Sequence, residues 1–370
     1  PTYFIAGNNG TALVDEILNG FGWRRIREKN DELFKLKWSE LKASIDYNNF
    51  REGEQLVNHI PNCEILTNKQ GLLNSLQEYG KINAANHKQP VKLDFFPETY
   101  KVDDPKDKEK FLATYKEDDI WICKPTGRNQ GKGIFLIWNS EECYKAVTQD
   151  NSPNPTRFRP LNRIIQRYIS NPLLINNRKF DIRCYMLIAS TSPYVILYHK
   201  GYIRLSMYNY DKNSDNMLTH LTNQYIQKKD PKYGERKEDT VWSMDKFNDY
   251  ANRNFAESKN VGRNWVYNGL TEKMKSIIMV CFNSVKNKLQ RRLGYFELYG
   301  MDFLVDENMK VWLIEINMNP SYTINCGALK DVIPGLLKET LDIAIECFEK
   351  GRRRKPLLPL NSRQNYEVLY

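Results

Sequence analysis

The sequence is poor in the residues that build zinc sites, disulfide frameworks and nucleophilic catalysts. It has four histidines and seven cysteines among 370 residues, and no two cysteines have Cys-x-x-Cys spacing. Scattered cysteines in odd number are typical of a reducing intracellular compartment, and we expect no structural zinc. No apolar run approaches the ~18 residues of a membrane helix and no secretory signal opens the chain, so we expect no membrane association. The chain starts at Pro1 rather than Met, from which we expect a piece of a longer protein.

Charge balance is lacking too, because 55 Lys and Arg residues outnumber 45 Asp and Glu residues and leave a net charge of +10. Such an excess favours an acidic partner, which composition alone leaves open as an acidic protein segment or a nucleic acid. The densest basic run is Lys350–Lys355 (KGRRRK). It is compatible with the solvated end of a last helix and with a partner-binding surface.

The order of predicted elements indicates an α+β fold. The strand Thr2–Ala6 and the helix Thr11–Gly20 open the chain, and the proline-containing segment Gln89–Asp104 is interpreted as a connection between lobes. Further helices are predicted at 68–79, 107–116, 271–293 and 336–348, further strands at 120–124, 133–138, 164–169, 180–189 and 194–205, and a loop at 151–160. The regular βαβα alternation of Rossmann or flavodoxin folds is absent.

A glycine-rich segment, Lys124–Gly133 (KPTGRNQGKG), lies between two predicted strands. Its glycines and cations suit a loop whose backbone N–H groups wrap a polyphosphate. It is not a Walker A motif, because three residues rather than four separate Gly127 from Gly131 and a strand rather than a helix follows. A plain hairpin turn and a phosphate loop of the kind found in ATP-grasp enzymes and kinases both fit. Lys124 ends the preceding strand and is predicted to contact phosphate.

Charges alternate along the predicted strand that starts at Lys179. Because side chains alternate faces along a strand, Lys179, Asp181 and Arg183 share one face, while Phe180 and Ile182 share the other. The strand continues into an almost wholly apolar stretch, which indicates a central, buried position. Charges there are costly unless they are paired or functional. An internal salt-bridge ladder and a functional site are both compatible with this pattern.

Two carboxylates and one amide are predicted to meet on a β-hairpin, Met301–Val305 with Lys310–Asn317. With the turn centred between Glu307 and Asn308, Asp302 faces Leu313 and lies diagonally across from Glu315, ~7–8 Å away. Asn317 shares the face of Glu315. All three side chains offer oxygen, the ligand that Mg²⁺ requires, and the apolar surroundings argue against casual solvent exposure. We therefore predict a magnesium site at Asp302, Glu315 and Asn317.

Five motifs in this order resemble the tubulin–tyrosine-ligase-like family. They are WICKP…QGKGI (121–134), QRYI (166–169), KFDIR (179–183), HLTN (220–223) and DFLVD…VWLIEINMNPS (302–321). The resemblance spans nearly the whole chain. It implies an ATP-grasp-like α+β fold in which β-sheets clasp ATP. The lobes it implies are an N-terminal α/β lobe (1–100), a central lobe with the glycine loop (101–178) and a C-terminal lobe with the metal hairpin (179–370).

The resemblance also implies a role for each matching residue. ATP phosphates would meet Lys124, Lys179, Thr222 and Asn223, with Gln130, Gly131, Lys132 and Gly133 closing over them. The hinge that binds adenine would be Gln166, Arg167, Tyr168 and Ile169, and the ribose region would meet Phe180 and Asp181. Magnesium would bind Asp302, Glu315 and Asn317. The residues facing the reacting carboxylates would be Arg183, Arg204 and Asn223.

The activity so implied is ATP-dependent ligation of an amino acid to a protein carboxylate through an acyl phosphate. The run Gln224–Lys229 (QYIQKK) departs from the family's glutamylases. Together with Asn177-Arg178 before KFDIR and Arg204–Met207 (RLSM) after it, this departure resembles the glycylase branch, and within it the chain-elongating polyglycylases. The expected substrates are free glycine and an acidic protein such as a tubulin C-terminal tail. We expect a cytoplasmic monomer associated with the cytoskeleton or cilium, and no nucleic acid partner.

Three alternatives stay open beside this interpretation. A polyglutamylase of the same family would use the same ATP and metal residues. A non-catalytic basic module would bind an acidic protein or nucleic acid, but would have no use for the metal triad. A protein kinase is disfavoured because the sequence has neither an HRD nor a DFG motif.

Overall fold

Three β-sheets organise the residues that the computed structural model describes, which are 1–28, 31–86, 91–126, 131–148 and 162–370. The predicted loop Asn151–Pro160, residue Gln130 of the glycine loop, and Gln89 and Pro90 of the predicted connection lie outside these ranges. The mixed α+β class predicted from the sequence is confirmed.

The first sheet is parallel, with strand order β2-β1-β3-β4. Its part of the chain contains β1 (Thr2–Ala6), α1 (Thr11–Gly20), β2 (Arg24–Arg25), β3 (Leu36–Ser39), β4 (Leu56–Val57), α2 (Glu64–Thr67) and α3 (Lys69–Ala85). The first strand and first helix have the predicted bounds. Helix α3 starts where the side chain of Asn68 accepts hydrogen bonds from the N–H groups of Gln70 and Gly71, and it extends beyond the predicted helix.

The second sheet has the order β5-β8-β6-β7 and is antiparallel. Its part of the chain contains β5 (Thr99–Lys101), α4 (Pro105–Thr114), β6 (Trp121–Pro125), β7 (Phe135–Ile137), α5 (Ser140–Thr148) and β8 (Arg163–Arg167). The glycine-rich segment joins β6 to β7, two neighbouring antiparallel strands, as predicted.

The third sheet has seven strands and carries most of the core. Its elements are β9 (Leu174–Ile175), β10 (Arg178–Thr191), β11 (Tyr194–Asn209), α6 (Met217–His220), α7 (Gln224–Gln227), α8 (Tyr233–Arg236), β12 (Val241–Ser243), α9 (Met244–Asn254), α10 (Thr271–Val285), β13 (Glu297–Val305), β14 (Val311–Asn317), α11 (Gly327–Arg352) and β15 (Glu367–Val368). The main strand order is β12-β11-β10-β13-β14.

Strand β10 lies at the centre of this sheet, and every one of its 14 residues is buried. Phe180 and Ile182 pack into the cluster that contains residues of α9 and α10. On the opposite face, Tyr185 and Leu187 pack into the cluster that contains residues of α11. Helices therefore cover both faces of the sheet, and its polar residues are enclosed rather than exposed to solvent.

The pairing of β13 with β14 differs from the predicted register. Phe303 pairs with Leu313, and a β-bulge then brings Asp302 directly opposite Glu315. The prediction that Asp302 faces Leu313 is therefore wrong. Val305 already pairs with Val311 rather than with Lys310, one residue away from the predicted count, and the bulge shifts the pairs beyond Phe303 by one more. A count centred on an assumed turn foresees neither shift. The bulge places the two carboxylates nearer each other than the predicted diagonal does.

Three further helices differ in their bounds from the predictions. The helix predicted over 107–116 runs from Pro105 to Thr114, where the side chain of Asp104 accepts hydrogen bonds at its start. The helix predicted over 271–293 ends at Val285, and the hydroxyl of Tyr194 donates to the carbonyl of Lys286 at 2.7 Å just beyond it. The last helix is longer than predicted, because it runs from Gly327 to Arg352. None of the described helices combines the length and the apolarity that a membrane crossing demands.

Candidate functional site

A cleft of about 820 Å³, counted with its open mouth, lies between the second and third sheets. The residues predicted from the sequence that line it are Lys124, Gly131, Gln166, Arg167, Tyr168, Ile169, Lys179, Asp181, Thr222, Asn223, Asp302 and Glu315. These residues come from both sheets and from the segment after α6, which positions them around one space. The structure therefore brings most of the predicted site together.

Six predicted residues do not line this cleft. Lys132 and Gly133 border a neighbouring depression instead. Phe180 is fully buried on the far face of β10, where its ring packs edge-to-face on Phe247 with centroids 5.1 Å apart. Arg183, Arg204 and Asn317 lie behind the cleft lining, and their contacts are given below. Gln130 lies outside the described residues.

Two lysines point into the cleft from opposite sheets. Lys124 on β6 donates to the Oε1 atom of Gln166 at 2.7 Å, and Lys179 on β10 donates to the hydroxyl of Tyr168 at 3.1 Å. Among the described residues, neither ammonium forms an ion pair with a carboxylate. Burial lowers the pKa of Lys124 to about 8 and that of Lys179 to about 7. Two buried, uncompensated cations favour an anionic ligand.

Three of the four residues of the predicted adenine hinge, Gln166–Ile169, form hydrogen bonds within the protein. The amide of Gln166 bridges Lys124 and Thr99, donating to the Thr99 hydroxyl at 2.9 Å. The backbone N–H of Arg167 donates to Glu98, and that of Tyr168 donates to Ile120. No acceptor for the N–H of Ile169 is found among the described residues, so Ile169 is the hinge position whose N–H can meet a ligand.

Four charged residues on β10, β11 and β13 form a charge quartet: Asp181, Arg183, Arg204 and Asp302. The guanidinium groups of both arginines contact Oδ2 of Asp302, with Nη2 of Arg183 at 3.0 Å and Nη2 of Arg204 at 2.8 Å. Arg204 also donates from Nε to Asp181 at 2.7 Å. Burial acts to raise the pKa of Asp302, but Arg183 and Arg204 outweigh it and hold that pKa well below its usual range. The two cations and two anions of the quartet balance, so Asp302 stays ionised.

Glu315 lies next to the quartet on β14. Its Oε1 atom accepts a hydrogen bond from Nδ2 of Asn317 at 3.1 Å, and its Oε2 atom is 3.8 Å from Nζ of Lys69. The amide of Asn317 is thereby oriented with its nitrogen on Glu315, which leaves its carbonyl oxygen free to accept. No cluster of three or more His, Cys, Asp or Glu residues with metal-binding geometry occurs in the described ranges. The oxygens of Asp302, Glu315 and Asn317 nevertheless form one hard, anionic patch.

Among the cleft residues that were not predicted from the sequence, two are polar, Lys69 and His220. Lys69 is the first residue of α3, and only the packing of that helix against the third sheet brings it to Glu315. His220 belongs to the HLTN motif, but a lone histidine gave no reason to assign it a role. Its ring is buried and hydrogen-bonds to Tyr168.

The cleft lining combines apolar and charged side chains. Ile122, Ile134, Leu304 and Ile314 line it together with the lysines and carboxylates. Such a space suits a ligand that has a flat apolar part and a highly charged part, since apolar walls exclude water while a few polar groups fix orientation. The residues present therefore fit a nucleoside triphosphate with a divalent cation.

Comparison with known proteins agrees with this geometry. The profile of the tubulin-tyrosine ligase family matches residues 48–353. The chain is 43% identical over its whole length to Protein polyglycylase TTLL10 of Macaca fascicularis, of which it covers 66%. It is 41% identical over its whole length to the Homo sapiens protein named Inactive polyglycylase TTLL10, of which it covers 61%. Over 88% of the chain it is 33% identical to Probable alpha-tubulin polyglutamylase Ttll1 of Tetrahymena thermophila, of which it covers 81%. The chain thus spans less than two thirds of the length of these two TTLL10 relatives.

Proposed function

The chain belongs to the tubulin-tyrosine ligase family, and we propose that it is an ATP- and Mg²⁺-dependent ligase that adds glycine to a protein carboxylate. The observation that carries the proposal is that two buried lysines without a carboxylate ion pair among the described residues share one cleft with the carboxylates of Asp302 and Glu315. A metal–triphosphate complex presents both signs of charge, so it requires cationic groups for its phosphates and anionic groups for its metal ion.

The nucleotide would bind with its base at the hinge and its phosphates at the lysines. Ile169 offers the free hinge N–H to the base, while Ile122 and Leu304 supply apolar walls. Lys124 and Lys179 would neutralise the phosphates, and Thr222 and Asn223 line the same region. This assignment agrees with the roles that the sequence motifs imply.

Magnesium would be held by the oxygens of Asp302, Glu315 and Asn317. Asp302 keeps one lone pair on Oδ1, because that atom accepts from Nε of Arg183 alone. Glu315 keeps its Oε2 atom, with Lys69 at 3.8 Å, and Asn317 keeps its carbonyl oxygen. A bound Mg²⁺ ion would neutralise charge on the transferring phosphoryl group.

The proposed reaction needs no side-chain nucleophile. Transfer of the terminal phosphoryl group to the acceptor carboxylate makes an acyl phosphate, the amine of the amino acid attacks its carbonyl carbon, and phosphate leaves. Arg183 and Arg204 lie beside the metal residues and would stabilise the oxyanion if a substrate carboxylate drew them from Asp302. Positioning then supplies most of the rate.

Two features support glycine and an acidic acceptor. The relatives from Macaca fascicularis and Rattus norvegicus are both named polyglycylases, and each aligns with the whole chain at 43% or 44% identity. The net charge of +10 favours an acidic tail such as that of tubulin. We propose that the acceptor is the carboxyl end of a short glycine branch on a glutamate of such a tail.

The test is mass spectrometry of an acidic tubulin-tail peptide, with and without a glycine branch, after incubation with ATP, Mg²⁺ and single amino acids. Addition of glycine residues to the branched peptide, lost in Glu315→Gln, is the expected result. Addition of glutamate instead would make the protein a polyglutamylase. Peptide binding without any addition, unchanged in Glu315→Gln, would contradict the proposal and leave a non-catalytic binding module.

A further inference from the structure

Lys179 is held by a chain of hydrogen bonds that ends on a backbone carbonyl. Its Nζ atom donates to the hydroxyl of Tyr168 at 3.1 Å and lies 4.6 Å from the centroid of that ring. The Tyr168 hydroxyl lies 2.7 Å from Nδ1 of His220, and Nε2 of His220 lies 2.7 Å from the carbonyl oxygen of Ser214. The side chains of Lys179, Tyr168 and His220 are all buried.

The direction of each hydrogen bond in this chain follows from the backbone carbonyl of Ser214 at its end. A carbonyl oxygen only accepts, so Nε2 of His220 carries a proton and donates to Ser214. In a neutral imidazole the other nitrogen, Nδ1, is then an acceptor. The Tyr168 hydroxyl therefore donates to Nδ1 and turns its lone pairs toward Lys179. The ammonium of Lys179 stands at the head of a chain in which every donor has an acceptor.

The surroundings of His220 keep it neutral. Its side chain is enclosed by the rings of Trp138, Tyr168 and Tyr210. Burial lowers the pKa of His220, as does Lys179, while the Ser214 carbonyl and Asp211 oppose the shift. A neutral ring preserves the Nδ1 acceptor on which the chain depends.

The groups that hold Lys179 in place are neutral, unlike a carboxylate. A carboxylate beside Lys179 would fix its position but also cancel its charge, leaving less attraction for an anionic ligand. A tyrosine hydroxyl polarised by a histidine fixes the ammonium without cancelling its charge. The charged groups nearest Lys179 are Asp181, which favours its ammonium form, and Lys124, which disfavours it.

We propose that Tyr168 and His220 are positioning residues that hold the Lys179 ammonium charged and aimed at the phosphates of ATP. The proposal rests on the proposed function for the identity of the anion, whereas the hydrogen-bond chain itself is a property of the unliganded protein. Neither residue is expected to touch the reacting atoms. Both act through Lys179.

The first experiment titrates Lys179 in the unliganded protein by competitive acetylation at a series of pH values, read by mass spectrometry of the Lys179 peptide. Tyr168→Phe keeps the ring and removes only the hydroxyl. A hydrogen bond to the charged form stabilises that form, so its loss is expected to lower the pKa of Lys179 by about one unit. His220→Phe keeps a ring but removes the Nδ1 acceptor, and is expected to shift the pKa in the same direction by less.

Tyr194→Phe is the control. Its hydroxyl also donates to a backbone carbonyl, that of Lys286 at 2.7 Å, and Tyr194 does not line the cleft. The Lys179 pKa is expected to stay at the wild-type value in this variant. An unchanged Lys179 titration in Tyr168→Phe, or an equal shift in Tyr194→Phe, would overturn the proposal. A shift in Tyr168→Phe with none in His220→Phe would remove His220 from it.

The second experiment measures ATP binding by calorimetry. Tyr168→Phe is expected to weaken ATP binding about tenfold at a pH of about 8, because a pKa of Lys179 that is lower by about one unit leaves about a tenth as much of the ammonium form in the variant as in the wild type. At a pH of about 6 both proteins keep much of Lys179 protonated, so the weakening is expected to be smaller. Equal weakening at both pH values would overturn the link between the chain and the charge of Lys179. Should wild-type protein bind no ATP, the proposed function fails, while the acetylation experiment still decides the positioning role.

Discussion

At the scale of single residues, burial decides the chemistry of the cleft. Lys124 and Lys179 would have ordinary lysine pKa values on the surface, and enclosure lowers these to about 8 and about 7. Asp302 is buried as deeply, but two arginines hold its pKa below the usual range. Burial therefore lowers the pKa of the two lysines, whereas at Asp302 the two arginines outweigh the effect of burial and the carboxylate stays ionised.

ATP binding is expected to take up protons at a pH of about 8. Both lysine pKa values lie at or below this pH in the unliganded protein, so a part of each population is neutral. Triphosphate favours the ammonium form and raises both pKa values, so binding draws protons and weakens as pH rises through 7 and 8. Calorimetry in buffers of different ionisation enthalpy measures the uptake. Binding with no uptake would show that the lysines are already fully charged.

Removal of Lys179 or Glu315 is expected to abolish ligation without unfolding the protein. Lys179→Ala removes a buried cation that has no carboxylate partner among the described residues. Glu315→Ala removes a carboxylate that is about a quarter exposed and whose ion pair with Lys69 is long, at 3.8 Å, so its loss is expected to cost little stability. We expect at least a hundredfold loss of ligation for each. Mass spectrometry measures the product, and circular dichroism measures folding. Full activity in either variant would refute the assigned site.

At the scale of secondary-structure elements, irregularities in long strands position the charged residues. The pairing of β10 with β11 shifts register between Arg183 and Tyr185, and Gly201 lies in the extra stretch of β11 with φ of +64°. A Cβ atom on Gly201 would lie 1.9 Å from the carbonyl oxygen of Arg183. Only glycine allows the two backbones to approach so closely.

Gly201→Ala is expected to destabilise the protein by about 3 kcal/mol or more, since it adds a backbone clash to the strain of a positive φ. Because the clash is with Arg183, residual folded protein is expected to have reduced ligation. Gly22→Ala is the matched control, for Gly22 has φ of +74° and nothing within 4 Å of its Cβ position. It is expected to cost only about 1 kcal/mol. Urea denaturation measures both, and equal losses would refute the argument from the bulge.

At the scale of the whole molecule, two of the three sheets enclose the cleft. The sheets draw their strands from residues 2–57, 99–167 and 174–368, and the predicted lobes 1–100, 101–178 and 179–370 stay a prediction beside them. The cleft needs two of the sheets at once, because Lys124 comes from one and Lys179 from the other. Packing of the second and third sheets, rather than any local motif, closes the site.

The excess positive charge is expected to make binding of an acidic tail peptide sensitive to salt. Surface attractions are screened over a distance of about 10 Å at 0.1 M salt, so a rise from about 50 mM to about 300 mM is expected to weaken binding at least tenfold. Fluorescence anisotropy with a labelled tail peptide measures this, and a neutral peptide of the same length is the control. Salt-independent binding of the acidic peptide would contradict an electrostatic origin.

Local sequence patterns were sufficient for much of the fold. The strand Thr2–Ala6 and the helix Thr11–Gly20 form with the predicted bounds, because turn residues and apolar spacing act over a few neighbouring positions. The shared face of Lys179, Asp181 and Arg183 follows from the period of two in any strand. The ordered motifs were also sufficient for the family, whose profile matches residues 48–353.

Only the tertiary structure decided which of these residues share a space. The bulge that sets Asp302 opposite Glu315, the approach of Lys69 and the chain from Lys179 to Ser214 each depend on groups far apart in sequence. Local patterns report which face a side chain takes, whereas register shifts and lobe packing decide what that side chain meets. Burial, and with it the charge state of each lysine, is likewise a property of the assembled molecule.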